Sequence, residues 1–358
     1  MESTGIGIVG CGNVSRMYLP ILARIPDVDV VAVADVDAAR AQQTVEEFDL
    51  PRAMSAEELV ADPAVDVVLN LTPIVAHTDV SKAALTAGKH VYSEKPLATS
   101  VVAARELVDE ARQRGLAFGC APDTLLGSGF EAAREVVASG AIGRPLAASA
   151  AMFRSAMTRA SFYSEGATPI FDMAPYYLSA LVNVFGPAVR ISGLTRTLSA
   201  GETPVEPPAG GSIASSGVIE FASGVLTNVT LIWGSDHRHE VPAFTVYGST
   251  GVVDFPNPNN FGDPAYVRQH GEDSRTEIPG SRQSESWPHN LRGLGVGEMA
   301  RAIRAGQTPR ASAEIACHVV EMIEGLVTSA RTGSRVELTT TCTPAPPLSA
   351  EARESLVG

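Results

Sequence analysis

The run Gly5–Gly10 (GIGIVG) passes directly into Cys11-Gly12-Asn13-Val14-Ser15, and no other stretch limits the possible folds as tightly. Six glycine or aliphatic residues in succession predict a strand buried on both faces, as in a parallel sheet. The glycines behind it predict a sharp turn into a helix, which the pattern carries to about Ile25. Gly10 permits the turn, and Gly12 removes the side chain that would stand between the backbone and an anion. The N–H groups that open the helix, at Asn13 and Val14, point a positive dipole end at the same place. Ser15 stands where a third glycine is common and is small enough for close helix–strand packing. The next strand, Val30–Asp35, ends in an acidic residue, the group that takes both ribose hydroxyls in a dinucleotide site. A 2′-phosphate would be repelled there, because Asp37 adds a second carboxylate and Arg40, the nearest cation, lies a helical turn away. NAD is therefore expected in preference to NADP.

The alternation continues. A helix through Glu47 is followed by a strand Asp66–Leu71, a helix Val75–Ala87 and a strand His90–Ser93. A helix Ser100–Arg114 and a strand Leu116–Cys120 complete the series. Right-handed crossovers then make residues 1–122 a doubly wound Rossmann domain. After Pro122 the pattern changes to a helix Phe130–Ser139, a long apolar helix Ile170–Phe185 and four extended stretches. These stretches are Val189–Leu198, Gly217–Phe221, Val225–Trp233 and Ala243–Tyr247. Their one-sided polarity predicts a mostly antiparallel sheet, so residues 123–358 read as an α+β substrate-binding and oligomerisation domain. Two helices (Gly297–Ala305, Ala313–Arg331) and an extended tail from Thr339 close it.

A net charge of −13 argues against a nucleic-acid or anionic-membrane partner, both of which need a basic face. No apolar run approaches a membrane span, and the first residues lack a secretory pattern. The four cysteines form no CxxC pair and no dense framework, which fits reduced thiols in a cytoplasm.

Glu94-Lys95-Pro96 ends the His90–Ser93 strand at the sheet edge where doubly wound folds place ligands. Asn70, Thr72, Pro73 and His77 end and follow the preceding strand at that same edge, and with Glu94, Lys95 and Pro96 they are expected to contact the cofactor. With the glycine loop, Asp35 and the later Pro169–Tyr177 segment, these motifs resemble the glucose–fructose oxidoreductase / inositol dehydrogenase (Gfo/Idh/MocA) family over nearly the whole chain. The resemblance implies an open antiparallel sheet that packs against another subunit, hence a homo-oligomer, dimer or tetramer. It implies that Glu94 contacts the cofactor and that Lys95 sits beside nicotinamide and substrate, and it makes Lys95–Pro96 a candidate cis bond. The commoner family pattern is Asp-x-Gly-x-His. Here Asp172 is followed by Ala174 and Tyr176, as in a branch with an Asp-Met-x-Pro-Tyr-Tyr form. Asp172 and Tyr176 are four apart and share a helix face. A Tyr–Lys pair can exchange a substrate proton while hydride moves, with Asp172 orienting the substrate. The expected substrate is a carbohydrate-like secondary alcohol or ketone: a sugar, polyol or cyclitol derivative.

Three further positions are weaker. Asp123 either faces the cleft or caps the following helix. His237 and His239 share a face of an extended segment and suit a substrate or subunit contact; without a third ligand nearby, no metal is expected. Arg154 and Arg159 are cations for an anionic substrate group, although solvated arginines are the plainer reading. Two rival functions remain from sequence: an NAD-dependent glycoside-cleaving enzyme of the same family, and a non-catalytic NAD-binding regulator.

Overall fold

The computed structural model describes residues 3–154, 169–197, 214–233, 242–285 and 287–355. The chain divides into two units. The first comprises Met1–Asp123, Asn290–Cys317 and the segment from Glu351; the second comprises Thr124–His289 and His318–Ala350. The division is thus not a single cut after residue 122, because two later segments belong with the first unit.

In the first unit, β1 (Thr4–Val9), β2 (Val28–Ala34), β3 (Val67–Asn70), β4 (His90–Ser93) and β5 (Phe118–Cys120) form a sheet in the order β2-β1-β3-β4-β5. All four pairings are parallel. A single parallel bridge, Val33 to Ala53, leaves the vestige of one more strand outside β2. The helices are α1 (Ser15–Leu22), α2 (Ala38–Phe48), α3 (Ala56–Ala61), α4 (His77–Thr86) and α5 (Val101–Arg114). Their ends are written in local chemistry. Asp37 accepts from the N–H groups of Ala39 and Arg40 to cap α2, and Ser55 and Glu58 form a capping box on α3. Ser100 caps α5, which ends on Gly115 in the left-handed region. Strand residues Ile6, Ile8, Val33, Val68, Leu69 and Val91 are buried completely, as continuous aliphatic runs between two helical layers require. Strand order reverses between β1 and β3, and that reversal opens a crevice at their carboxyl ends.

The second unit is built on nine strands: β6 (Pro145–Arg154), β7 (Ala188–Arg196), β8 (Ala214–Phe221), β9 (Leu226–Trp233), β10 (Phe244–Gly248), β11 (Gly251–Phe255), β12 (Tyr266–Gln269), β13 (Thr276–Glu277) and β14 (Val336–Glu337). Their order is β13-β12-β11-β10-β6-β9-β8-β7-β14. Every pairing is antiparallel except β6 with β9, so the sheet is mixed but mostly antiparallel. Helices α6 (Ser128–Ala138) and α7 (Pro169–Phe185) belong to this unit. Phe185 meets Phe221 and Phe244, and Phe255 meets both Phe244 and Phe130, in one aromatic core. The other sheet face carries Val218 and Leu226, both about half exposed (52% and 51%).

Helix α8 (Leu294–Arg304) belongs to the first unit, where Arg301 and Arg304 both pair with Asp27. Helix α9 (Ala313–Thr332) follows. In the second unit, glycines 193 and 217 leave the room that Leu326 fills; a Cβ on either would stand 2.5 Å or less from its Cδ1. The tail from Thr339 ends in α10 (Ala350–Ser355). Among the described residues no helix is long and apolar enough to cross a membrane.

Candidate active site

The glycine loop sits at the carboxyl end of β1. Gly10 has φ +105°, and a Cβ there would stand 2.6 Å from the Leu71 carbonyl oxygen, so the position tolerates no side chain. A Cβ on Gly12 would meet nothing within 4 Å; space lies open above it. Ser15 is fully buried and its hydroxyl donates to the Gly12 carbonyl at 2.6 Å, which ties the loop to the first turn of α1. That helix has no side-chain cap and no acidic residue in its first turn, so its N–H groups are left for a ligand. Asp35 follows β2. Its Oδ2 accepts the Cys11 N–H at 2.8 Å and its Oδ1 accepts the Asp37 N–H at 2.9 Å. Arg40 is closer than its sequence spacing suggests: its guanidinium reaches Asp35 at 3.2 Å and Asp37 at 3.3 Å. The arrangement fits a dinucleotide: an open anion cradle, uncapped N–H groups, and a carboxylate at the second strand end.

After β3, Asn70 is fully buried. Its amide donates to the His77 carbonyl and the Ser81 hydroxyl, and its oxygen accepts from the Thr72 hydroxyl (2.6 Å) and N–H. His77, 1% exposed, has Nδ1 2.7 Å from the Pro96 carbonyl and Nε2 2.9 Å from the Thr72 carbonyl. Burial holds its imidazole below the usual range. The sequence reading put Asn70 and His77 among the cofactor contacts. Their polar atoms are instead engaged with the protein, and they hold the two loops that wall the crevice. Thr72 and Pro73 lie on the first of these loops, more exposed than their neighbours.

Glu94-Lys95-Pro96 forms the second loop, and the Lys95–Pro96 bond is cis, as its place implied. The Glu94 carboxylate accepts from the buried Tyr18 hydroxyl at 2.7 Å and from the Lys95 N–H at 3.0 Å. Lys95 is half-buried.

Asp123 is 1% exposed, and its Oδ2 accepts the N–H groups of Gly293 and Gly295 at 2.8 and 3.1 Å. Neither expected role holds in its simple form: the carboxylate caps α8, which lies 170 residues away, and not the next helix. Burial pushes its pKa from 3.8 up to about 6. The folded state therefore retains a proton that the unfolded chain has released. This contribution is complete below about pH 4 and is lost as pH rises through about 6, on the order of 3 kcal/mol in all. Asp123→Asn keeps an acceptor for the two N–H groups and removes the charge. In urea melts the wild type should lose stability relative to the variant, by about 3 kcal/mol, as pH rises from 4 to 7, the buried histidines acting alike in both; parallel pH profiles would refute this.

In the second unit, α7 carries Asp172, half-buried, and Tyr176, 6% exposed. Tyr177 is a core residue (2% exposed) whose hydroxyl donates to Asn257 at 3.4 Å. Arg154 lies over the Trp233 ring and against the Met173 sulfur, not free in solvent. His237, His239 and Arg159 lie outside the described residues, within which no cluster of metal-ligating side chains occurs.

The profile of an oxidoreductase family with an NAD-binding Rossmann fold, Gfo/Idh/MocA, matches residues 4–121, and that of the family's C-terminal domain matches residues 130–254. The chain belongs to the Gfo/Idh/MocA family. A similar relative is the trans-1,2-dihydrobenzene-1,2-diol dehydrogenase of Bos taurus, 37% identical over 50% of this chain and 55% of that protein. Another is the dTDP-3,4-didehydro-2,6-dideoxy-alpha-D-glucose 3-reductase of Streptomyces violaceoruber, 28% identical over 84% of this chain and 86% of that one. The chain spans about half the length of the Bos taurus enzyme and of other curated relatives it matches. Levoglucosan dehydrogenase, solved with NADH and L-sorbose, has the same fold: TM-score 0.83 at 18% identity, over 95% of this chain and all of that one. As a Gfo/Idh/MocA member, the chain has its NAD-binding Rossmann fold in the first unit.

Sequence reasoning missed Tyr18 in this site. A tyrosine on the apolar side of a short helix reads as core packing, and its partner lies 76 residues away. The only available signal was that a buried phenol needs an acceptor.

Proposed function

We propose that the protein is an NAD(H)-dependent oxidoreductase acting on a secondary alcohol or ketone of a sugar, polyol or cyclitol derivative. The observation that carries this reading is the convergence of the glycine loop, Asp35 and the Glu94-Lys95-Pro96 loop at the carboxyl edge of one parallel sheet. Gly10, Gly12, Asn13 and Val14 would hold the pyrophosphate and Asp35 the adenosine ribose. Thr72, Pro73 and the Glu94–Pro96 loop would flank the nicotinamide, with Asn70 and His77 behind them. The bound nicotinamide supplies or accepts the hydride. Lys95 and Tyr176 hold and move the substrate proton, Tyr176 standing where the family commonly has histidine, and Asp172 orients the substrate hydroxyls. Asp35, only 6% exposed at its side chain, disfavours a 2′-phosphate, since Arg40 is already paired with it and with Asp37. The sugar-nucleotide and diol activities named for the relatives support this substrate class. The half-exposed Val218 and Leu226 on the open sheet face favour a homo-oligomer.

The test is a fluorescence titration with NAD(H) beside NADP(H), then a panel of polyols and sugars read at the NADH absorbance band. Preferential NAD binding with NADH production is expected. Binding of NADP alone would overturn the role of Asp35. Tight NAD binding without net NADH from any compound would favour internal redox cleavage of a glycoside, or a regulator. Light scattering on the same sample should return a multiple of 37.4 kDa; a monomer would refute the oligomer.

A further inference from the structure

We propose that Tyr18 is a positioning residue for Lys95, acting through the Glu94 carboxylate and so linking the helix of the dinucleotide loop to the catalytic loop. The inference rests on the reading of Lys95 given above.

Tyr18 lies in the first turn of α1, the helix whose N-terminus faces the cradle, and it is fully buried. Its hydroxyl donates to Glu94 Oε1 at 2.7 Å, while Oε2 of the same carboxylate accepts the backbone N–H of Lys95 at 3.0 Å. Each oxygen thus has a directional partner on a different element. The rest of the loop is held as tightly. The Glu94 N–H donates to the Asn70 carbonyl at 2.9 Å, and the Glu94 carbonyl accepts from the Ser93 hydroxyl at 3.1 Å. On the far side of Lys95, the Pro96 carbonyl meets His77. Tyr18 is the member of this set that comes from the phosphate-binding helix.

Burial and the adjacent carboxylate push the Tyr18 phenol well above its ordinary pKa, so it is a neutral donor throughout the working range. Glu94 is 9% exposed. Without the hydroxyl, a largely buried carboxylate oxygen loses its donor, and the carboxylate turns or draws the loop outward to regain one. Either movement shifts the Lys95 backbone, and small displacements of a reacting group are costly in rate.

A packing role is the simpler alternative, because the ring fills core volume. Tyr18→Phe keeps the ring and removes only the hydroxyl, which separates the two. The chain contains three lysines, at positions 82, 89 and 95, so acetylation of Lys95 can be followed by peptide mass spectrometry with the exposed Lys82 as internal reference. In Tyr18→Phe, Lys95 should label at least about threefold faster relative to Lys82. Turnover should fall about ten- to a hundredfold. The Kd for ADP-ribose, which lacks the nicotinamide, should stay within about twofold. In a Glu94→Ala background, Tyr18→Phe should add less than about twofold to either effect, because the path runs through Glu94. Unchanged Lys95 labelling in Tyr18→Phe overturns the proposal, as do effects of Tyr18→Phe and Glu94→Ala that multiply independently. If Lys95→Met turns over normally, the catalytic reading of Lys95 fails, and the labelling result still decides whether Tyr18 holds the loop.

Discussion

Lys95→Met should abolish turnover, by at least about a thousandfold, while leaving NAD affinity within a few-fold. The lysine follows directly on Glu94, in a loop fixed at both ends by side chains that do not involve its ammonium: Tyr18 holds Glu94, and His77 meets Pro96. Methionine matches the length of the lysine stem and lacks the charge, so the loop geometry should survive while the proton-handling group is lost. Steady-state kinetics on the best compound from the panel, with fluorescence titration of NADH, measures both quantities. Near-normal turnover would sink the proposed mechanism. A collapse of both turnover and NADH binding would mean that the ammonium serves the cofactor and not the chemistry.

Gly10→Ala and Gly12→Ala should separate folding from binding at adjacent points of one loop. At Gly10 the new methyl would stand 2.6 Å from a backbone oxygen and 2.7 Å from a backbone carbon of Leu71, at φ +105°. Neither can move without disturbing the strand end, so a loss of about 2–4 kcal/mol is expected. In a unit of this size that lowers Tm by roughly 5–10 °C. At Gly12 the methyl meets nothing, so Tm should be unchanged; it occupies the open space over the helix N-terminus, and NAD affinity should fall more than about tenfold. Thermal melts with and without NADH decide both. An unaltered melt for Gly10→Ala would refute the steric account, and normal NAD binding by Gly12→Ala would remove that residue from the cradle.

The parts of the fold read well from sequence are those with a strong period. Every strand of the first sheet was expected, because a continuous aliphatic run between capped helices has few alternatives. Strand β6 was not: alanines at 147, 148, 150 and 151 give no alternation between faces, and its pairing with β9 supplies the order that its side chains do not. Strands β11 to β13 were missed for another reason. They are two to five residues long and sit among turn residues, too short for a period to emerge.

By itself the sequence determined the parallel sheet, the glycine loop, the acidic strand end and the Glu94-Lys95-Pro96 loop, because each depends on chemistry within a few consecutive residues. Only the tertiary structure decided what those residues bind internally. Asn70 and His77 turned out to be engaged with loop backbone, Arg40 with two carboxylates, Asp123 with the start of a helix 170 residues on, and Tyr18 with Glu94. A buried polar group must find a partner, but which partner is settled by elements that meet only after folding, and no local pattern encodes that meeting.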